Sequence, residues 1–215
     1  QYQYGIWHPI GGCNALVRAM AARVEELGGV VRCGTPVERI LFEGSRTTGL
    51  VAGGETHRFD HVVMNADAAW ALKNLVPEER RRGWSDEKLD SRRYSCSTFM
   101  LYLGIEGEID LPHHTIRTSP DYERNLQDIA VDGRLSETPS FYVCNPSRLD
   151  PTLAPAGHSS LYVLVPTPNT TAEIDWNVER DRLREQTLDL VSELAGAPNL
   201  RERIRSVRTV TPETW

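Results

Sequence analysis

The sequence predicts an α/β chain, in the broad sense that includes α+β, built in two structural parts. Three observations point there. An amphipathic helical pattern over 14–27 leads into short β-branched runs, broken at hairpin spacing by Glu43-Gly44-Ser45 and Gly53-Gly54-Glu55. Near residue 68 the composition shifts to a charged, helical stretch. From residue 94 onward, longer apolar strand patterns alternate with helices.

The elements follow in order. Asn14 is a good N-cap residue, and Ala15, Leu16, Ala19, Met20, Arg23, Val24 and Leu27 place a mostly apolar stripe on one helical face. Gly28 is the stop signal. Val30-Val31 and 37–42 are β-branched and apolar and read as strands, and Val62-Val63-Met64 reads as a short buried one. Asp67 is placed to cap a helix over 68–76, Pro77 breaks it, and 78–82 resumes it. Cys96, Thr98, Met100, Tyr102 and Gly104 alternate with Ser97, Phe99, Leu101 and Leu103, so both faces of this strand are largely apolar and it belongs at the centre of a sheet. The run 111–118 reads as its neighbour, 122–130 as a short helix, and 141–144 and 159–165 as two more strands. Asp175 caps a long helix with Val178, Leu183, Thr187, Leu190, Val191 and Leu194 on one side, Gly196 stops it, and 205–210 is the last strand.

Composition narrows the function. A chain of 215 residues with 40% apolar content can bury a real core. The net charge of −6, with both signs interspersed, speaks against a nucleic-acid partner, which calls for a clustered basic patch. Cys13, Cys33, Cys96 and Cys144 are far apart and contain no Cys-x-x-Cys, so neither a disulfide framework nor a zinc site is expected and a reducing compartment is the simpler reading. No apolar run reaches about 18 residues, so no spanning helix is expected. The sequence opens without Met and in mid-motif, which reads as an internal piece of a longer protein.

Familiar catalytic constellations are missing. There is no Gly-x-Ser-x-Gly, no phosphate-cradling Gly-x-x-x-x-Gly-Lys, and neither Gly11-Gly12 nor Gly28-Gly29 supplies a dinucleotide fingerprint. His113-His114 is the tempting pair for metal or acid–base work. Adjacent strand residues point to opposite faces, so the expectation is that they share no ligand sphere and that no metal is bound. His8 and His158 read as lone histidines. Trp70, Leu72, Leu75, Val76 and Trp84 around Arg80-Arg81-Arg82 fit either an amphipathic basic helix lying on an anionic membrane or an ordinary surface helix with solvated charges.

In this order and spacing, "GIWHPIGGCNALVRAM", "ELGGVV", "TPVERI", "VVMNAD", "FMLYLGIEG", "LPHHTI", "LDPTLAPAGHSSLYVLVPTP" and "DWNVERDRLR" resemble the bacterial-type phytoene desaturase family. These are FAD-dependent carotenoid desaturases among the amine-oxidase-like flavoproteins, and the resemblance covers nearly the whole chain. It implies part of a Rossmann-like FAD-binding domain with a β-meander over 1–67, a substrate domain of mixed or antiparallel sheet and helices over 68–205, and a return toward the FAD domain over 206–215. It implies that Val37 meets the adenine edge through its backbone. The turn Asn65-Ala66-Asp67 lies near the flavin, as a helix N-terminus offering free N–H groups or as plain capping by Asp67. Gly11-Gly12 lets backbone approach a planar ring. Phe99, Met100, Leu101, Tyr102, Leu103, Tyr142 and the run 161–165, with Leu161 and Val163, sit on strands that can line an apolar tunnel or simply form core. No catalytic residue is assigned. The implied activity is FAD-dependent dehydrogenation of C–C bonds in an acyclic carotenoid precursor such as phytoene. The alternatives are another amine-oxidase-like oxidoreductase, a carotenoid isomerase, or a non-catalytic remnant that binds apolar ligands. The implied partners are an apolar carotenoid and a membrane touched peripherally, with a cytoplasmic location on the inner face of the cell membrane.

Val37→Pro removes the backbone N–H placed against adenine, whereas Val37→Ile keeps it. FAD occupancy of the full-length protein, read from its visible absorption, is expected to fall more for proline; equal occupancies would make Val37 a structural residue only.

Overall fold

The computed structural model describes residues 3–215. The chain divides into two compact units, one formed by 21–93 and the other by the residues up to Met20 together with 94–215. The helix α1 (Gly12–Glu26) contributes its start to the second and its end to the first. It begins two residues before the expected Asn14 cap. Gly28, at φ +84°, closes it, with Gly28 and Gly29 N–H groups donating to Glu25 and Val24 carbonyls. Its apolar stripe is formed as read, but no residue of α1 is buried: Leu16, Met20 and Val24 stand exposed.

The unit 21–93 holds a three-stranded antiparallel meander, β1 (Val37–Glu43), β2 (Arg46–Ala52) and β3 (Glu55–Arg58), in the order β1-β2-β3. Gly53 and Gly54 both take positive φ, as the tight β2–β3 connection demands. At Gly49 the β3 backbone passes so close that an added Cβ would lie 2.1 Å from the His57 carbonyl oxygen. The helix α2 (Ala68–Leu75) starts where Asp67 accepts a hydrogen bond from the Trp70 N–H, as its sequence predicts, and buries Ala71 and Leu75 against Ile40 of β1. Its last turn leads into a 3₁₀ turn (Glu78–Arg80) and α3 (Asp86–Asp90). This packing sets 68–93 with the meander, a different division from one at residue 67.

Three expectations fail here for physical reasons. Val30-Val31 and Val62-Val63-Met64 form no strand, and Val63 is 91% exposed. Both runs have strand-like side chains, but no ladder partner exists for them among the described residues, and a strand is stable only with one. The arginine run is not uniformly solvated either. Arg81 is buried; its guanidinium donates to the Val76 and Lys73 carbonyls at 2.8 and 3.0 Å and pairs with Asp86, so it satisfies the open C-terminal end of α2. Arg80 bonds the Gly44 carbonyl and sits over the Phe42 ring, and Leu75 is core.

The second unit is built on a five-stranded antiparallel sheet: β4 (Ser97–Glu106), β5 (His114–Arg117), β6 (Phe141–Cys144), β7 (His158–Thr167) and β8 (Ile204–Val210), in the order β5-β6-β7-β4-β8. β4 pairs with β7 over ten residues, from Ser97↔Thr167 to Glu106↔His158. It is thus interior, as its two apolar faces predict. β5 is not its neighbour; it lies at the far edge, paired with β6, because the irregular 107–113 segment carries the chain away. Helix α4 (Tyr122–Gln127) continues as a π-helical turn to Asp132. Helix α5 (Trp176–Leu194), capped by Asp175, packs Leu183, Leu188 and Val191 onto Phe99, Leu101, Val163 and Phe141, with Trp176 stacked on Phe99. Val178 points to solvent. The short α6 (Leu200–Arg203) leads into β8, which closes the sheet instead of leaving it at 206. Among the described residues no helix is long and apolar enough to cross a membrane.

The last two arginines of the run separate cleanly by role. Arg81→Met removes the bonds to two helix-end carbonyls and to Asp86 and is expected to cost about 2 kcal/mol, while Arg82→Ala at an exposed position stays within about 0.5 kcal/mol. Denaturant melts of both variants check this.

Candidate functional site

Alternation along the strands sends the residues singled out from the sequence to two faces. Phe99, Leu101, Leu161 and Val163 point to the α5 side and are closed inside the core, none more than 2% exposed. Tyr102 and Tyr142 point to the other face, joined by Tyr162, and their three rings form a row with centroids 6.2 and 5.6 Å apart. This outer face carries a cavity of about 450 Å³ lined by Tyr102, Gly104, Leu153, Ser160, Tyr162 and Val207. Gly104 keeps its floor open: a Cβ there would lie 2.5 Å from the Ser206 hydroxyl. Beyond Tyr102, a second hollow of about 440 Å³ is lined by Arg208, Val210 and Trp215. The face therefore presents phenols and aliphatic groups, with the sheet core as its backing.

At the β5–β6 end the tyrosine row meets histidines. His113 precedes β5 and lies in a bend, so the opposite-face rule for strand neighbours does not apply to it. Its ring stacks on His114 at 4.1 Å, and His8 meets its edge at 5.1 Å. His114 Nδ1 shares a hydrogen with the Tyr142 hydroxyl, which lies 3.4 Å from that of Tyr162. With the buried Cys144 thiol, the two imidazoles form a group whose ligand atoms lie within 4.8 Å of one another. The expectation that the two rings point to opposite faces and so share no ligand sphere is thus overturned. The rings are near-parallel, 15° apart, and His114 Nδ1 is already engaged by the Tyr142 hydroxyl. Burial, then the neighbouring His114 and His8, lowers the His113 pKa. Burial raises those of Cys144, Tyr142 and Tyr162.

The bend is held by a buried amide. Asn145 donates through Nδ2 to the Ile109 and Leu111 carbonyls at 3.0 and 3.1 Å, and its N–H donates to the His113 carbonyl at 2.9 Å. Next to it lies a buried carboxylate. Asp150 accepts from the Thr152 hydroxyl and N–H at 2.6 and 3.0 Å, and from the Gly11 N–H at 2.6 Å, with His8 Nε2 3.4 Å away. These bonds, the Thr152 hydroxyl first, pull its pKa down to about 2. Gly11 and Gly12 take φ of +85° and +72°, so the turn they make before α1 suits glycine alone. Asp150, Thr152 and Asn145 were not candidates from the sequence. Only Asp150-Pro151 carried a signal, as a turn-initiating dipeptide.

The other candidates lie in the 21–93 unit. Val37 pairs with Ala52 just before a register shift in β1 and lines a cleft of about 690 Å³ with Val30, Thr35, Leu50, Ala52 and Phe59. That volume falls in the range of small-molecule sites. Asn65 and Ala66 are exposed, and Asp67 is engaged as the α2 cap. A helix N-terminus that already carries its own carboxylate is a poor cradle for phosphate. Arg32, His57 and Arg58 also line the cleft beside Val37, so its wall is mixed, and the Asp67 carboxylate at the start of α2 does not fit a pyrophosphate.

The family described as flavin containing amine oxidoreductase matches residues 1–215. The chain is 45% identical over 217 residues to an all-trans-zeta-carotene desaturase of Myxococcus xanthus, covering 99% of this chain and 41% of that one. It is 41% identical over 216 residues to a 4,4'-diapophytoene desaturase (4,4'-diapolycopene-forming) of a Methylomonas species, covering 100% and 42%. The chain thus spans about two-fifths of the length of these relatives. Among solved structures it is similar to an oxidoreductase from Methanosarcina mazei, with a TM-score of 0.57 at 20% identity over 96% of this chain and 44% of that one. That likeness is one of fold, and it places the α/β arrangement among known architectures.

His113 holds its folded-state pKa below its ordinary 6.5, so on acidification the unfolded chain takes up the proton first. Stability is therefore expected to fall as pH drops through about 6.5, and His113→Gln is expected to flatten that part of the profile. Thermal melts between about pH 5 and 7.5 check it; an unchanged slope in the variant would contradict it.

Proposed function

Because this chain belongs to the flavin containing amine oxidoreductase family, we propose that it forms part of an FAD-dependent desaturase acting on an acyclic carotenoid precursor such as phytoene. The observation that carries the reading is the 45% and 41% identity, along essentially the whole chain, to two proteins named as carotenoid desaturases. The outer sheet face agrees with it. A polyene offers no charge, so recognition rests on shape and apolar burial, and a row of tyrosines above aliphatic groups provides both.

In this reading Tyr102, Tyr142 and Tyr162 line the substrate path, while Phe99, Leu101, Leu161 and Val163 support the wall from behind. The backbone at Val37 and the Gly11-Gly12 turn are the parts offered to FAD. When bound, FAD supplies the two-electron acceptor that no side chain provides. The chain's own residues orient the hydrocarbon and keep water from it. The substrate dissolves in bilayers, so we further propose peripheral membrane contact through Trp70, Arg80, Arg82 and Trp84, which are exposed members of the patch. Reduced flotation of Arg82→Glu with anionic liposomes supports that contact, and unchanged flotation removes it.

Expression of the full-length protein in a host that accumulates phytoene or its C30 relative is expected to yield coloured extracts that depend on FAD. Colourless extracts from soluble, flavin-loaded protein would reject the desaturase and favour an amine-oxidase-like oxidoreductase.

A further inference from the structure

Asp150 is buried, and both of its carboxylate oxygens are engaged. Oδ1 takes the hydroxyl and N–H of Thr152, which caps the 3₁₀ turn Pro151–Leu153. Oδ2 takes the N–H of Gly11, 139 residues earlier in the chain. The two turns it joins touch: a Cβ built at Gly12 would lie 3.5 Å from Leu153 Cδ2. Leu153 in turn lines the cavity beside Tyr102 and Tyr162. A buried carboxylate is kept in place only by such donors, and charge-assisted bonds of this kind are the strong ones. A neutral side chain of the same shape has one carbonyl oxygen and so satisfies only one of the two turns.

We propose that Asp150 is a positioning residue: it ties the Gly11-Gly12 turn to the Pro151–Leu153 turn and thereby fixes Leu153 in the wall of the outer-face cavity. The part of this that concerns substrate rests on the desaturase reading; the tie between the turns does not. Asp150 touches no reacting atom in this scheme. It acts through Gly11 and Leu153.

The test uses the full-length protein as wild type, Asp150→Asn and Asp150→Ala. Hydrogen exchange followed by mass spectrometry reads the peptide containing residues 8–12 against peptides from β4 and β7. In the alanine variant, exchange at 8–12 is expected to rise at least about tenfold with β4 and β7 unchanged, and the asparagine variant is expected to fall between. In the desaturation assay with phytoene, KM of the asparagine variant is expected to rise several-fold with kcat held within about twofold, the pattern of a displaced binding wall. Unchanged exchange at 8–12 overturns the proposal. So does a uniform rise that includes β4 and β7, since Asp150 would then serve only general stability. If the alanine variant does not fold, the asparagine variant decides by the same criteria. A raised exchange at 8–12 in a protein whose wild type desaturates nothing would reject the desaturase reading and leave the anchor standing.

Discussion

The ten-residue antiparallel ladder between β4 and β7 is the constraint on which the larger unit depends. Its register puts Phe99 beside Val165 and Leu101 beside Val163 on one face, and Tyr102 beside Tyr162 on the other. A slip of one residue would exchange the faces, driving tyrosines into the α5 interface and leucines into solvent. One pairing therefore decides both which side chains hold the fold together and which remain available for a ligand. The dry face is closed by Trp176, Leu183 and Val191 of α5, and close packing there makes the wall stiff. The outer face gains its cavity from small groups, Gly104 and Ser160, set between larger ones.

The irregular segments beside this ladder are fixed by buried polar groups. Asn145 has no side-chain partner on a neighbouring strand; it bonds the carbonyls of the 107–113 connection and so determines where His113 sits. Asp150 does the same for the turn before α1. Loops cannot bury backbone without such partners. Both residues are buried where a polar side chain needs a reason to be, and in each case the reason is an adjacent turn of backbone.

Much of the fold was legible in the sequence because its signals are local. The Asp67 cap, the Gly28 stop, the meander turns and the α5 pattern each follow from a few neighbouring residues. What was not legible depends on distant partners. The runs at 30–33 and 62–64 have strand composition, and no neighbouring ladder receives them. Arg81 looks like one of three solvated arginines until the carbonyls at the end of α2 come within its reach. His113 and His114 were expected to diverge, and they stack because the strand begins three residues later than the pattern suggests, which leaves His113 in the bend before it. The site was half visible: Tyr102, Tyr142 and Tyr162 lay on strands expected to line a tunnel or form core, while Leu153 and Asp150 required the contact between distant turns.

In the proposed desaturase, the outer face of the sheet, and Tyr102 in particular, is the surface that meets the polyene. Photocrosslinking from a benzophenone amino acid placed at position 102 of the full-length protein, in cells that make the hydrocarbon substrate, tests this directly. The account predicts a covalent adduct of the hydrocarbon at that position, identified by mass spectrometry. Pigment formation by the substituted protein with no adduct at 102 after irradiation would contradict it.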